Sequence, residues 1–280
     1  MSFQVKPCDG ACGAQILGLN LSQKLSSDLV AELRAAWLEH HILVFPDQNL
    51  SKSDLEKFTL YFGEFGEDPY LGSLEDHKNI VALSRKAHET GPIFADSWHT
   101  DWSFLPTPPA GTCLYGEVIP PHGGDTFFIN QHKVLQEMPD ALRQKLEGKM
   151  AIHSAAAGYA PDGLYGVDEK TSDRSINIII SDEANKTQLH PLIRNHPETG
   201  EAMIFGCFGY VRALADVDLE ESNTLLGELY AWQTQEAFQY RHQWSPGMLV
   251  MWDNRSVLHK ASGGYEGFDR LLYRTTIADA

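Results

Sequence analysis

Three residues of this chain could together hold a metal ion: His99, Asp101 and, far downstream, His259. A His-x-Asp pair with one distant histidine is the ligand set of the two-histidine, one-carboxylate facial triad. That triad binds ferrous iron by one face and leaves the opposite coordination positions open for oxygen chemistry. If the three side chains converge, the sequence predicts an iron-dependent oxygenase.

The His-x-Asp pair is by itself a weak signal. Alternate residues of an extended strand project to the same face, so His99 and Asp101 could share one ion. The same pair could form a surface hydrogen bond instead, and among twelve histidines a third ligand is easily found. The neighbouring Trp98, Trp102 and Phe104 favour the metal site, because they would supply a dry pocket with an apolar wall.

Two arginines near the end of the sequence could bind an anion. Arg270 and Arg274 share one face whether their segment is a strand or a helix. Guanidinium binds carboxylates and sulfonates through two parallel hydrogen bonds. Arginines are usually solvated, but the apolar residues Leu271, Leu272 and Tyr273 lie between these two. We therefore predict buried anion-binding roles for both.

The composition limits the partners of the protein. A net charge of −16 argues against nucleic acid or an anionic membrane, and still allows a small anionic substrate. Four cysteines in 280 residues fit a reducing compartment better than a disulfide framework. With no apolar run long enough to span a membrane and no secretory signal pattern, we expect a cytoplasmic protein with a small-molecule substrate.

The order of predicted elements indicates a mainly β protein. Helices are predicted from about Ser27, from a capping box of Ser53 with Glu56, and from Leu219 to Phe238. Strands are predicted at residues 13–19, 41–46, 80–83, 112–115, 126–129, 176–180, 202–205 and 248–252. Few βαβ units are visible, so an antiparallel barrel or jelly roll with flanking helices, in a single domain over residues 1–280, fits best.

Over nearly its whole length the chain resembles the taurine dioxygenase and aryloxyalkanoate dioxygenase family of Fe(II)/2-oxoglutarate oxygenases. The motifs that carry the likeness occur in the family's order. They are residues 13–19, Val44-Phe45-Pro46-Asp47-Gln48, Phe62-Gly63, Trp98-His99-Thr100-Asp101, Gly123-Gly124-Asp125-Thr126, His190-Pro191-Leu192, His196-Pro197, Trp252-Asp253-Asn254-Arg255 and the closing Arg270 to Arg274.

The resemblance implies a double-stranded β-helix core, also called a jelly roll. It implies Fe(II) as cofactor, held by His99, Asp101 and His259, with 2-oxoglutarate and O2 as cosubstrates. It places the distal carboxylate of 2-oxoglutarate on Arg270 and Thr126, and it places Arg274 near the metal-bound end of the cosubstrate. Hydroxylation of a small, anionic organic substrate, with release of succinate and CO2, is the expected reaction.

The resemblance says less about the substrate. Taurine is disfavoured, because Tyr70, Ser73 and Ala95 stand where an ungapped count back from the His-x-Asp pair expects the family's taurine-binding residues. An alkyl sulfate, another sulfonate or an aryloxyalkanoate is expected instead. The predicted substrate pocket consists of Arg274 with an aromatic wall made of Tyr70, Trp102, Phe104, Tyr159 and Phe208.

Three further expectations remain open. A lid-like insertion is expected around residues 66–97, with substrate-selecting residues in the polar segment Arg85 to Pro92. Members of the family are often dimers or tetramers, so a homodimer or homotetramer is possible. Outside the family, a zinc hydrolase or a non-catalytic barrel module could use the same fold, but the hydrolase would leave both arginines without a role.

Overall fold

A computed structural model describes residues 2–168 and 173–279 of the chain. In these residues the strands are β1 (Gln4–Pro7), β2 (Ala14–Leu17), β3 (Ile42–Phe45), β4 (Val81–Arg85), β5 (Gly111–Val118), β6 (Thr126–Asn130), β7 (Met150–Ser154), β8 (Thr187–Pro191), β9 (Ile193–Asn195), β10 (Ala202–Ile204), β11 (Val211–Leu214), β12 (Gln239–His242), β13 (Leu249–Asp253), β14 (Val257–Ala261) and β15 (Arg270–Ile277). The α-helices are α1 (Ser27–His40), α2 (Lys52–Leu60), α3 (Gln131–Gln136), α4 (Asp140–Leu146), α5 (Ala156–Tyr159), α6 (Leu164–Asp168) and α7 (Leu219–Gln233), and short 3-10 helices lie at Asp182–Asn185 and Glu236–Phe238.

Sheets dominate the architecture. The largest has seven strands in the order β1-β2-β3-β13-β5-β15-β4, and it is antiparallel except between β2 and β3. Three smaller antiparallel sheets have the orders β12-β6-β14, β11-β7-β8 and β10-β9. The prediction of a mainly β protein with flanking helices is confirmed at this level.

The centre of the large sheet is buried on both faces, and for this reason the sequence of β3 is apolar throughout. Leu43 and Phe45 pack into one core, under α1 and α2, together with Trp37. Ile42 and Val44, which alternate with them, pack into a second core. This second core also contains residues of β6 and β14, so it joins the large sheet to the sheet β12-β6-β14. A strand with two buried faces has no polar alternation.

Three sequence predictions about elements need correction. The capping box of α2 is formed by Ser51 and Asp54, two residues earlier in the sequence than Ser53 and Glu56. The C-terminal helix ends at Gln233, and a separate 3-10 turn completes the predicted range. Residues 176–180 form no strand and contribute only an isolated bridge between Ile178 and Leu71.

The range 66–97 surrounds one edge of the large sheet. It contains β4, which pairs with β15 so that Arg85 lies opposite Arg270. The following segment, Lys86 to Pro92, is held down by hydrogen bonds. The Arg85 guanidinium donates to the carbonyl oxygens of Glu89 and Gly91 at 3.0 and 2.8 Å. A lid function for this range stays a prediction.

Candidate metal centre

The two predicted histidine ligands lie directly opposite each other. His259 lies in the middle of β14. His99 forms an isolated antiparallel bridge with it. The His99 amide donates to the His259 carbonyl at 3.0 Å, and the His259 amide donates to the His99 carbonyl at 2.8 Å. Directly paired residues project to the same face, so both imidazoles enter one cavity.

Asp101 lies in a turn whose backbone is held by the side chain of Asn254. The Asn254 amide oxygen accepts from the Asp101 amide, and its Nδ2 donates to the Asp101 carbonyl, both at 2.8 Å. The same Nδ2 donates to the Pro109 carbonyl at 3.1 Å. The next residue, Trp102, has a φ of 50°. Because this left-handed conformation is unfavourable for a bulky residue, the turn depends on its surroundings.

The three side chains are spaced for a shared ion and not for direct hydrogen bonds. Asp101 Oδ1 lies 3.8 Å from His99 Nε2 and 3.7 Å from His259 Nε2. All three candidate ligand atoms lie within 4.8 Å of one another, and all three residues are buried. Distances near 3.8 Å are too long for hydrogen bonds. Two imidazole nitrogens and one carboxylate oxygen form a donor set that suits a divalent transition metal.

The protonation states also suit a metal. Burial lowers the pKa of His99 below its ordinary value and that of His259 to about 3, so both rings are neutral at pH 7. Burial alone would raise the pKa of Asp101, but the neighbouring Arg274 guanidinium, with the Thr112 hydroxyl that donates to this carboxylate, lowers it to about 2. Metal ligands must be neutral imidazoles and ionised carboxylates, which is the state found here.

Hydrogen bonds from the atoms that do not face the metal site orient two of these ligands, His99 and Asp101. His99 Nδ1 lies 2.8 Å from the Ser97 carbonyl, and since a carbonyl can only accept, Nδ1 carries the proton and Nε2 keeps its lone pair. The Thr112 hydroxyl donates to Asp101 Oδ2 at 2.8 Å, which leaves Oδ1 facing the imidazoles. Among the described residues, nothing hydrogen-bonds to the buried His259 Nδ1.

Arg274 lies in the same cavity and is already paired with carboxylates of the protein. Its Nη1 lies 3.4 Å from Asp101 Oδ1, and its Nη2 forms a salt bridge with Asp68. Its guanidinium carbon lies 5.1 Å from the centre of the Trp102 ring. Asp68 lies in an irregular segment without periodicity, so no sequence pattern pointed to it.

Arg270 and Thr126 line a part of the cavity where the protein leaves polar groups available. Arg270 Nη2 donates to the Gly124 carbonyl at 3.0 Å, while its buried Nε has no partner among the described residues. The Thr126 hydroxyl accepts from Trp244 Nε1 at 2.9 Å, so its own proton is available for another acceptor. Burial lowers the pKa of Arg270. The charged guanidinium is therefore poorly solvated, and a bound anion would stabilise it.

The structure brings only some residues of the predicted aromatic wall to the cavity. Trp102 and Tyr159 line the cavity with the metal-site residues. Tyr70 and Phe104 do not line it but pack against these two, with Tyr70 stacked on Tyr159 at 4.8 Å. The prediction that Phe208 lines this pocket needs correction: Phe208 is 68% exposed and packs against Tyr230 of α7. It lines a separate small pocket with Leu226 and Tyr230.

Several lining residues were missed by the sequence analysis. Tyr210 lies beside His99, with ring centres 6.2 Å apart. Glu89 belongs to the polar segment in which substrate-selecting residues are expected; it is buried, and its carboxylate accepts from the amides of Lys86 and Ser175. Arg85, of the same segment, and Ala95, named at a taurine-binding position, also line the cavity. The other lining residues are Leu83, Ser84, Phe94, Leu114, Arg174, Ile176, Trp252, Ala261 and Tyr265.

Comparison with known proteins gives consistent matches along the chain. Residues 4–276 match the model of the taurine catabolism dioxygenase TauD, TfdA family. An alkylsulfatase of Acinetobacter baylyi is 31% identical over 278 residues, which cover 99% of this chain and 85% of that enzyme. An (S)-phenoxypropionate/alpha-ketoglutarate-dioxygenase of Delftia acidovorans is 29% identical over 287 residues, 99% of this chain and 95% of that enzyme.

A solved structure has the same fold. The crystal structure of a taurine dioxygenase from Burkholderia xenovorans superposes with a TM-score of 0.82 at 30% identity, covering 100% of this chain and 92% of that one. Among the described residues, no helix is long and apolar enough to cross a membrane.

Proposed function

The chain belongs to the taurine catabolism dioxygenase TauD, TfdA family and is an Fe(II)- and 2-oxoglutarate-dependent dioxygenase, and from this premise we propose that His99, Asp101 and His259 hold its iron. The observation that supports this assignment most directly is the backbone pairing of His99 with His259, which brings residues from distant parts of the chain to one point. Iron with 2-oxoglutarate and O2 would supply hydroxylation of a C–H bond, with succinate and CO2 as the other products.

The residues of the chain would each do a separate task in this reaction. The neutral imidazoles and the ionised Asp101 would offer three ligand atoms from one side. Thr112 and Asn254 would keep Asp101 in position. The buried surroundings would exclude water and hold the reacting partners in a fixed orientation, which is the main contribution a protein makes to such chemistry.

Arg270 and Thr126 are proposed to bind the distal carboxylate of 2-oxoglutarate. Support comes from the unpartnered Nε of Arg270 and the free hydroxyl proton of Thr126, both next to the same cavity. A guanidinium with a neighbouring hydroxyl can bind both oxygens of a carboxylate. Arg274 would lie nearer the metal, between Asp101 and Asp68.

The core is proposed to be a double-stranded β-helix, formed by the large sheet and the sheet β12-β6-β14 with a shared apolar interior. The same proposal includes a single domain over residues 1–280, with a lid around residues 66–97. The cytoplasmic location rests on the four free cysteines. A homodimer or homotetramer, and the absence of nucleic acid or membrane partners, remain predictions.

The substrate is proposed to be a small organic molecule, with sulfate esters, sulfonates other than taurine, and aryloxyalkanoates as first candidates. The relatives named above act on such compounds according to their names. Trp102, Tyr159 and Phe94 give the cavity an aromatic wall, which suits an apolar body. Ala95 has no polar group to bind an amine, which disfavours taurine.

The test is succinate release by the purified protein with Fe(II), 2-oxoglutarate, ascorbate and a panel of these compounds. At least one compound should increase succinate release, and Zn(II) in place of Fe(II) should abolish it. The Asp101→Ala variant should lose this coupled release. Full turnover by that variant would contradict the triad, and activity with Zn(II) but without 2-oxoglutarate would favour the hydrolase.

A further inference from the structure

The two arginines of β15 differ in how their charges are balanced. No carboxylate of the described residues lies within salt-bridge distance of Arg270, whose nearest hydrogen-bond acceptor is a backbone carbonyl. Arg274 contacts two carboxylates, Asp68 and Asp101. The first arginine is thus ready to bind an anion from outside, whereas the second already has anions of the protein beside it.

Asp68 is held in place by three partners and not by Arg274 alone. Besides the salt bridge, its Oδ1 accepts from Trp102 Nε1 at 2.8 Å, and its Oδ2 lies 3.4 Å from the Thr276 hydroxyl. Its side chain is only 13% exposed. A carboxylate with three fixed partners and little access to water keeps its position, so it acts as a permanent counter-ion of Arg274.

This pairing changes what the cavity can accept near Arg274. The negative charge of Asp68 balances the charge of the Arg274 guanidinium, and the negative charge of Asp101 would be balanced by the metal. The metal would balance the charge of the metal-bound end of 2-oxoglutarate, but an anionic group of a substrate placed there would lie close to Asp68 and would be repelled in a poorly solvated site. An uncharged polar group would not be repelled. The buried phenols of Tyr159 and Tyr210 line the same wall, where they can hydrogen-bond such a group.

We propose that Asp68 determines substrate charge: as the internal counter-ion of Arg274, it makes this end of the cavity prefer an uncharged hydrogen-bonding group to an anionic one. The proposal rests on the dioxygenase function proposed above and narrows its substrate class. A preferred substrate carries an amide, ester or hydroxyl group near Arg274. A substrate that also carries a carboxylate or sulfate binds that charge elsewhere in the cavity.

The experiment compares an acid with its isosteric amide, 2-phenoxypropionate with 2-phenoxypropionamide. For each protein, kcat/KM is measured for both compounds, and their ratio cancels any common effect on iron or 2-oxoglutarate. The wild type should favour the amide. Asp68→Asn should raise the acid-to-amide ratio at least about tenfold, because it removes a like charge. Glu67→Gln, an equal charge change at the exposed neighbouring residue, should leave the ratio unchanged.

A second measurement does not depend on turnover. The rise in Tm that each compound gives is recorded before iron and 2-oxoglutarate are added. The acid should stabilise Asp68→Asn more than the wild type, while the amide should stabilise both equally. If Asp68→Asn does not fold, Asp68→Ser takes its place in both measurements.

The outcomes separate the two proposals. An acid-to-amide ratio that stays within twofold of the wild type, or falls, would overturn the role of Asp68 even if turnover is normal. Absence of substrate-dependent succinate release from every compound in the panel would instead overturn the proposed function. In that case the Tm comparison still decides whether Asp68 disfavours anions.

Discussion

Replacing Asn254 by alanine tests how the candidate metal centre is kept in shape. The Asn254 side chain is fully buried and makes three hydrogen bonds, two to the backbone of Asp101 and one to the Pro109 carbonyl. Alanine would leave one backbone N–H and two backbone carbonyls without these partners. Each buried polar group left unpaired costs about 1–3 kcal/mol.

The low end of that range applies, because water can enter the space vacated by the amide and pair with some of the groups. We therefore expect Asn254→Ala to lower the free energy of unfolding by about 3 kcal/mol. Asp101 would also lose its orientation toward the imidazoles. Loss of a supporting contact of this kind lowers metal affinity about 10–100-fold. Chemical denaturation measures the first effect, and calorimetric titration of the metal-free protein with Fe(II) under argon measures the second.

Asn130→Ala is the matched control. Asn130 is also a buried asparagine, and its side chain bonds to the Ala11 carbonyl and to the Lys133 amide at the start of α3. This variant should lose stability but keep the wild-type metal affinity, because none of its bonds involves Asp101. Equal losses of metal affinity in Asn254→Ala and Asn130→Ala would refute a specific role for Asn254.

Four other predictions concern single residues. Arg270→Leu should raise the KM for 2-oxoglutarate at least about tenfold, since a buried guanidinium partner is lost, and steady-state kinetics at varied 2-oxoglutarate should leave kcat much less changed. Burial lowers the pKa of His242 to about 4, so only the unfolded chain takes up this proton between about pH 6.5 and pH 4. The free energy of unfolding of the wild type should therefore fall by about 2 kcal/mol because of this group between pH 7 and pH 5. In urea unfolding, His242→Gln should lose less stability than the wild type over this range, by the same amount. Glu89→Ala should speed proteolytic cleavage within residues 86–92, because two amide bonds that hold this segment are lost; a wild-type cleavage rate would contradict this. Phe208→Ala should leave the KM for the organic substrate unchanged, because this residue is 68% exposed. A severalfold increase in that KM would show that Phe208 contacts the substrate.

Local sequence signals predicted most elements but not all of their details. Helix α1 begins at Ser27 as predicted, because its cap and its apolar spacing are properties of residues close together in the sequence. Two overlapping capping patterns precede α2, and the structure uses Ser51 with Asp54. The apolar run at residues 176–180 resembles a strand, but it lies over the aromatic cluster around Tyr159 and finds no neighbouring strand to pair with.

The sequence by itself determined the types of residue that could do chemistry: a His-x-Asp pair, a distant histidine and two arginines on one face. These follow from residue identity and short spacing, which tertiary structure does not change. Only the tertiary structure decided that His259 faces His99, because this depends on the register between β14 and a segment far away in the chain. It likewise decided that Asp68 lies beside Arg274. Contacts between distant residues depend on how sheets and loops pack, and no local pattern encodes them.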